Sequence, residues 1–267
     1  MTGRQRIKEA FVAASRRKEA ALIPFIEAGD PDLATTKELL HALSEAGADL
    51  IELGYPFSDP LADGPTIQAA AQRALKGGIR LGEVLDMVAE ISSKITPPIL
   101  IMGYLNPFLR FGLEAFAEKA TAAGLCGTII PDLPMEEADQ WRKLAKAKGL
   151  ANVLLAAPTT DQKRLAILAQ KTSGFLYYVS VTGITGARKD LPPDLALKLQ
   201  TAREVSPVPV AVGFGIANAD QVATLAPHAD GVVVGSAIVK IIAETPRTRV
   251  VEEVFSFVRT LKEATRL

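Results

Sequence analysis

Eight short runs of apolar residues, separated by longer segments with helical character, constrain the fold of this chain more than any other feature. They begin near Ala21 (ALIPFIEAG), Leu50 (LIELG), Ile99 (ILIMG), Gly127 (GTIIP), Asn152 (NVLLA), Phe175 (FLYYVS), Val208 (VPVAVG) and Gly231 (GVVVG). Such alternation is typical of a parallel sheet covered by helices. Because the runs are almost continuously apolar, they fit strands that are buried on both faces.

The length of the chain favours one closed barrel. Its 267 residues are close to the roughly 250 of an ordinary (β/α)8 barrel, so we predict a single TIM-barrel domain over residues 1–267. The amphipathic opening predicts an additional N-terminal helix, and the long interval after the second run predicts an extra helix there. Further helices are predicted over Asp32 to Ala46, Leu113 to Ala123, Met135 to Lys148 and Asp161 to Lys171.

Charge and hydropathy exclude several classes of partner. The 30 basic and 30 acidic residues cancel, so no positive field attracts nucleic acid or anionic lipid. Met1 to Arg17 lacks the apolar core of a secretion signal. The longest apolar stretch, Gly231 to Val239, is shorter than the roughly 20 residues that cross a bilayer. We therefore expect a cytoplasmic protein without membrane or nucleic-acid partners.

Few residues offer nucleophilic or metal chemistry. The single cysteine, Cys126, cannot form an internal disulfide, and we interpret it as a small buried hydrophobe rather than a reactive thiol. Only His41 and His228 are available as imidazole ligands or bases. We therefore predict no metal site and expect carboxylates to carry any acid–base chemistry.

Glu52 is the first candidate for that chemistry. Side chains alternate along a strand, so Ile51 and Leu53 should face the helices while Leu50 and Glu52 point into the barrel. Burying an unpaired charge costs several kcal/mol or raises the pKa of the group. The residue lies near the C-terminal end of its strand, where barrel active sites are built. A catalytic carboxylate and a salt-bridged structural glutamate both remain open.

Asp63 is the second candidate. It lies in a loop stiffened by three prolines, which we expect to arch over the same barrel mouth. The alternative is a helix-capping or turn aspartate. Thr66 is predicted to cap the helix from Ile67 onward, which weakens that alternative, and Asp59 is the better turn residue.

Glycine clusters predict a phosphate site. They occur at Gly183–Gly186, Gly213–Gly215 and Gly235–Ser236, after the last three predicted strands. Loops after strands seven and eight, with a helix N-terminus, commonly bind phosphate in barrels. No Lys or Arg lies between Glu204 and Val239, so backbone amides and the Ser236 hydroxyl would hold the anion. Singly, each cluster could serve only a tight turn; together they favour phosphate.

The segment ELGYPFSDPLADGPTIQ (52–68) closely resembles the signature of the tryptophan synthase alpha chain family. Further matches run in chain order over nearly the whole sequence: PFIEAGDP (24–31), MGYLNP (102–107), IPDLP (130–134), APTT (157–160), YVSVTGITG (178–186), GFGI (213–216) and GS (235–236). The resemblance implies retro-aldol cleavage of indole-3-glycerol phosphate to indole and D-glyceraldehyde 3-phosphate. It also implies no cofactor in this chain and a partner beta chain, with pyridoxal phosphate, in an alpha2-beta2 tetramer.

The same resemblance implies catalytic and binding roles for individual residues of this chain. Glu52 matches the main acid–base carboxylate, and Asp63 matches the carboxylate at the indole nitrogen. The implied substrate-binding residues are Phe25 and Tyr177 at the indole, Thr185 near Asp63, and Gly186, Gly215, Gly235 and Ser236 at the phosphate. The segment Gly183 to Asp194 is expected to act as a lid that the beta chain favours in its closed form.

The chain departs from the family pattern at four positions, Glu27, Tyr55, Leu105 and Cys126. Glu27 stands where a hydroxyl residue is more common, and strand phase alone leaves its direction open. Three alternatives to the two-subunit enzyme remain. They are a free-standing indole-glycerol-phosphate lyase, a catalytically silent activator, and another sugar-phosphate isomerase or aldolase. Intact carboxylates disfavour the second, and the absence of lysine from the strand runs disfavours a Schiff-base aldolase.

Overall fold

The barrel closes as expected. In the computed structural model, which describes residues 1–180 and 191–267, eight strands form a closed parallel barrel in chain order. They are β1 (Ala21–Glu27), β2 (Ile51–Gly54), β3 (Ile99–Met102), β4 (Gly127–Ile129), β5 (Ala151–Ala156), β6 (Leu176–Val179), β7 (Val210–Gly213) and β8 (Gly231–Val234). Each overlaps one predicted run, so the predicted fold class is confirmed.

Twelve helices within the same described residues complete the fold. They are α1 (Gly3–Arg16), α2 (Leu33–Glu45), α3 (Pro65–Lys76), α4 (Leu81–Ile91), α5 (Leu105–Phe111), α6 (Leu113–Ala122), α7 (Asp139–Ala147), α8 (Gln162–Lys171), α9 (Leu195–Val205), α10 (Ala219–Leu225), α11 (Ser236–Glu244) and α12 (Val250–Glu263). The predicted N-terminal helix is α1. The predicted extra helix is also present, because α3 and α4 both lie between β2 and β3. None of these helices combines the length and hydropathy needed to span a membrane.

Side-chain alternation in β2 separates two apolar layers. Leu50 belongs to the cluster inside the barrel, whereas Ile51 and Leu53 belong to the layer between strands and helices. Glu52 shares the phase of Leu50 and is 1% exposed. The expected direction of Glu52 is therefore confirmed, and a carboxyl group enters an apolar interior.

Helix α1 closes the N-terminal end of the barrel. Its Ile7 and Phe11 belong to the interior cluster, and the ring of Phe11 lies 5.6 Å from that of Phe175. Cys126 lies in the same cluster with 1% exposure, as expected for a small buried hydrophobe. Because apolar side chains fill this end, polar chemistry is left to the opposite, C-terminal end of the strands.

Two local predictions were wrong. Helix α7 begins at Asp139 rather than Met135, because residues 135–138 form a turn in which the Glu137 N–H donates to the Pro134 carbonyl at 3.0 Å. Thr66 is not a cap either. Helix α3 begins at Pro65 with Gly64 as its N-cap residue and no side-chain cap. Proline favours the first helical position, since its φ is preset and it has no N–H to satisfy, so the helix starts two residues earlier than predicted.

Candidate active site

A cavity of about 410 Å³ opens at the C-terminal end of the strands. Seven of the predicted site residues line it: Phe25, Glu52, Asp63, Tyr177, Gly215, Gly235 and Ser236. The two other predicted residues, Thr185 and Gly186, lie outside the described residues, as does most of the predicted lid. The fold thus brings residues from β1, β2, β6 and the last two strand ends to one place.

Glu52 lies deep in this cavity because of its register. It is opposite Phe25 of β1 and Leu100 of β3, so its side chain is enclosed by the barrel. Among the described residues, its Oε2 has no hydrogen-bond partner. Burial, and to a lesser degree the charge of Asp63, raise its pKa to about 8. Glu52 therefore holds a proton near pH 7 and can donate it.

Asp63 reaches the cavity from the loop between β2 and α3. Its N–H donates to the Pro60 carbonyl at 3.0 Å, and its own carbonyl accepts the Gln68 side-chain N–H at 2.8 Å, which fixes the backbone on both sides. Burial raises the pKa of its carboxyl to about 6, against the opposing effect of a hydrogen bond from Tyr104. Asp63 is therefore mostly ionised near pH 7, when Glu52 is mostly neutral. Helix α3 has no side-chain cap, so Asp63 is not its cap.

Tyr104 is a site residue that sequence reasoning did not single out. Its hydroxyl donates to Asp63 Oδ2 at 3.1 Å and accepts the Ala62 backbone N–H at 3.0 Å. Burial and the Asp63 charge raise the pKa of the phenol, which keeps it a donor. A signal was present, because Tyr104 follows β3 at the C-terminal face, where barrel enzymes place functional residues.

Apolar side chains form the remaining walls. Those that the sequence did not indicate are Ile67, Met102, Phe214, Ile216 and Val233. Two strand-end glycines make room for the aromatic walls. A Cβ on Gly54 would lie 2.6 Å from Cζ of Phe25, and one on Gly213 would lie 2.3 Å from the Tyr177 hydroxyl. A slot with aromatic walls fits a flat apolar ring.

The part of the cavity that lies away from the aromatic walls fits an anion. Helix α11 begins at Ser236, and no side chain caps it, so its first N–H groups and positive dipole end remain available. Gly215 has φ +81°, in the left-handed region that favours glycine. No Lys or Arg lines this cavity in the described part of the chain. Backbone amides and the Ser236 hydroxyl would therefore hold the anion.

Glu27 proves to face the barrel mouth. It is 4% exposed and lines a second cavity together with Asp63 and Tyr104. Burial foremost, then the charges of Asp63, Asp30 and Glu52, raise its pKa well above the ordinary value. The side chain of Glu27 therefore points to the same side of β1 as that of Phe25, which strand phase alone left open.

Two buried carboxyl groups that share one cavity at the mouth of a closed barrel, both with raised pKa values, are typical of a (β/α)8-barrel enzyme that uses acid–base chemistry. A family model described as tryptophan synthase alpha chain matches residues 11–266. The chain belongs to the tryptophan synthase alpha chain family. The family that residues 52–68 resemble is therefore confirmed, and with it the lyase reaction that cleaves indole-3-glycerol phosphate to indole and glyceraldehyde 3-phosphate.

Relatives match along almost the full length. The tryptophan synthase alpha chain of Geobacter sulfurreducens is 48% identical, with 97% of this chain and 98% of the relative covered. Among solved structures, tryptophan synthase from Mycobacterium tuberculosis superposes with a TM-score of 0.89 at 38% identity, covering 98% of both chains. The alpha subunit from Legionella pneumophila gives 0.90 at 36% identity, covering 99% of this chain and 98% of that one.

Proposed function

We propose that this chain cleaves indole-3-glycerol phosphate by proton transfers through Glu52, with Asp63 at the indole nitrogen, and supplies indole to a tryptophan synthase beta chain. The observation that carries the proposal is that Glu52 and Asp63 line one cavity, where Glu52 Oε2 has no hydrogen-bond partner among the described residues and Asp63 accepts a hydrogen bond from Tyr104. Near pH 7 Glu52 is mostly neutral and Asp63 is mostly charged. The reaction needs an acid and an anion at these two places.

Cleavage begins with protonation of the ring. The neutral carboxyl of Glu52 donates its proton to C3 of the indole, which leaves positive charge on the ring nitrogen. Ionised Asp63 accepts a hydrogen bond from the ring N–H, offsets that charge and draws the proton as the indolenine forms. Both effects are strong because the cavity is buried and the local dielectric constant is low.

The same two groups then complete the reaction. Glu52, now a carboxylate, removes the proton of the glycerol 3′-hydroxyl, and a carbonyl forms as the bond to ring C3 breaks. The electron pair of that bond returns to the indole ring, whose nitrogen recovers its proton from Asp63. Glu52 ends protonated and Asp63 ends ionised, so the enzyme is ready for another turnover.

Binding is assigned to the two halves of the cavity. Phe25 and Tyr177 would hold the indole, and Gly215, Gly235 and Ser236 would hold the phosphate. Thr185 and Gly186 belong to the same proposal by family resemblance. An amide-lined anion site supports it, because a dianionic phosphate pairs well with N–H groups at a helix N-terminus.

The proposal extends to the partner and its cofactor. This chain uses no cofactor, and the beta chain would carry the pyridoxal phosphate in an alpha2-beta2 tetramer. Closure of the segment Gly183 to Asp194 over the site would be favoured by the beta chain, which would raise turnover by allosteric coupling. We place the enzyme in the cytoplasm.

The experiment is to incubate the purified chain with indole-3-glycerol phosphate and to quantify both products while a cognate beta chain is titrated in. Equal amounts of indole and glyceraldehyde 3-phosphate are expected. Coupling between subunits should raise the rate by roughly 5–150-fold. Cleavage with no response to the beta chain would favour the free-standing lyase, and no cleavage under either condition would contradict the proposed reaction.

A further inference from the structure

A small side cavity, with room for about one water-sized group, adjoins the main one. Phe25, Asp63 and Met102 line both cavities, so the two meet at the carboxylate assigned to the indole nitrogen. The side cavity is otherwise bounded by the ends of β1, β2 and β3, by the loops that follow β2 and β3, and by Ala71 of helix α3. The proposed reaction leaves this space without a role.

Of the two carboxyl groups that line this side cavity in the described part of the chain, Glu27 is the one that the reaction does not use. It is 96% buried, and in the described part of the chain its Oε1 has no hydrogen-bond partner. It lies opposite Gly54 in the β1–β2 register. A Cβ on Gly54 would lie 2.7 Å from Glu27 Oε2, so the glycine leaves the room that the carboxyl group occupies.

The groups around Glu27 are carboxylates. Asp63 faces it from the loop after β2, Glu52 from β2, and Asp30 from the segment after β1. Arg73 of α3 is engaged by Asp30 through two hydrogen bonds of 2.7 Å each. Burial foremost, and then these carboxyl groups when they are ionised, raise the pKa of Glu27 well above its ordinary value. A neutral carboxyl group can both donate and accept a hydrogen bond.

The position of the side cavity relates it to one end of the substrate. In an eight-stranded barrel, β3 lies across from β7. The anion end is built by residues after β7 and β8, and the side cavity by residues after β2 and β3. A substrate that places its phosphate at the first end and its ring nitrogen at Asp63 therefore has its indole at the end of the main cavity that adjoins the side cavity and Glu27.

We propose that Glu27 is a specificity-determining residue, and that the side cavity accepts a hydroxyl or amino substituent on the benzene ring of the substrate's indole. The inference rests on the proposed function. A hydroxyl group would give the unpaired carboxyl oxygen a partner, whereas a methyl group of similar size would leave it unpaired. Sites that hydrogen-bond a substrate hydroxyl discriminate strongly against analogues without it.

The test uses the reverse reaction, in which C3 of an indole adds to the aldehyde of glyceraldehyde 3-phosphate. Indoles with a hydroxyl or a methyl group at each free position of the benzene ring would be compared by kcat/KM. Each value is divided by the value that the same enzyme gives with unsubstituted indole. The enzymes are the wild type, Glu27→Met, Glu27→Val and Glu27→Gln.

At one ring position or more, the hydroxyl-to-methyl ratio of the wild type should exceed that of Glu27→Met by at least about tenfold. Glu27→Gln should retain most of the preference, since an amide also donates and accepts. Intrinsic reactivity of each indole cancels, because the same pair is compared across enzymes. Glu27→Val repeats the apolar test with a shorter side chain, in case Glu27→Met does not fold.

Two negative results have different meanings. If all four enzymes give the same hydroxyl-to-methyl ratio at every ring position, Glu27 does not determine specificity, although the proposed reaction stands. If the wild type does not condense unsubstituted indole with glyceraldehyde 3-phosphate, the proposed function itself is contradicted.

Discussion

The hydroxyl of Tyr104 donates a 3.1 Å hydrogen bond to Oδ2 of Asp63, and the same oxygen accepts the backbone N–H of Ala62 at 3.0 Å. The second bond occupies an acceptor position on the phenol, so the phenolic proton is directed to Asp63. A hydrogen bond to the charged form of an acid lowers its pKa. Tyr104 therefore helps Asp63 to remain ionised although Asp63 is only 8% exposed.

Tyr104→Phe should move the acid limb of the kcat/KM profile to higher pH. Removing the hydroxyl removes the contribution that lowers the pKa of Asp63, so a higher pH is needed to ionise it. Hydrogen bonds to charged groups contribute about 1.5–3 kcal/mol, so a shift of roughly one to two pH units is expected. Tyr178→Phe is the matched control, because Tyr178 lies in the layer between strands and helices. An unshifted acid limb in Tyr104→Phe would show that the hydrogen bond does not control Asp63.

The wild type should have a bell-shaped pH profile. Activity should rise through about pH 6 as Asp63 loses its proton and fall through about pH 8 as Glu52 loses its own. Because the two groups interact, the two limbs belong to the pair rather than to single residues. The measurement is kcat/KM for indole release across the pH range in which the fold is intact. A rate that keeps rising above pH 8 is inconsistent with Glu52 as the acid.

Glu52→Gln should stabilise the fold at neutral and alkaline pH. Folding raises the pKa of Glu52 from 4.5 to about 8, so the native state resists its ionisation. The contribution of the Glu52 carboxyl group to the free energy of unfolding is therefore fully present below pH 4.5 and is lost as the pH rises toward 8. At pH 7 the loss approaches roughly 3 kcal/mol as an upper bound. Urea unfolding of both proteins at acid and neutral pH would measure it. If the unfolding free energies of the two proteins depend equally on pH, burial of Glu52 does not destabilise the fold.

Ser236→Asp should weaken binding of glycerol phosphate at least about tenfold, because it puts a negative charge at the helix N-terminus assigned to the phosphate. Isothermal titration calorimetry with glycerol phosphate gives the affinity directly. Ser256→Asp is the control, since Ser256 is exposed in the middle of helix α12. Unchanged affinity in Ser236→Asp would place the phosphate elsewhere.

The strands and Glu52 could be predicted because each depends on local pattern. Continuous apolar runs gave eight strands, and period-two alternation in Leu50–Gly54 gave the direction of Glu52. Tyr104 could not be assigned in this way, because its partner Asp63 lies 41 residues earlier in the chain. Only the folded loop after β2 brings the two together.

The start of helix α3 and the direction of Glu27 depend on neighbouring residues rather than on side-chain alternation along a strand. Thr66 has a side chain suited to capping, but the preceding proline starts the helix first. Glu27 shares the phase of Phe25, yet phase does not reveal whether a carboxyl group fits at that strand end. The register decides it, because the residue opposite Glu27 is Gly54, which has no side chain.

The most direct test of carboxylate-driven cleavage is the initial rate of indole release from indole-3-glycerol phosphate by the wild type and by Glu52→Gln, each assayed alone and with a cognate beta chain. We expect the wild type to release indole under both conditions. Glu52→Gln should fall by at least roughly 10²-fold while its substrate affinity stays within a few-fold, since the amide occupies the same space but transfers no proton. Retention of more than about a tenth of the wild-type rate by Glu52→Gln would contradict the assignment of Glu52 as the acid–base group.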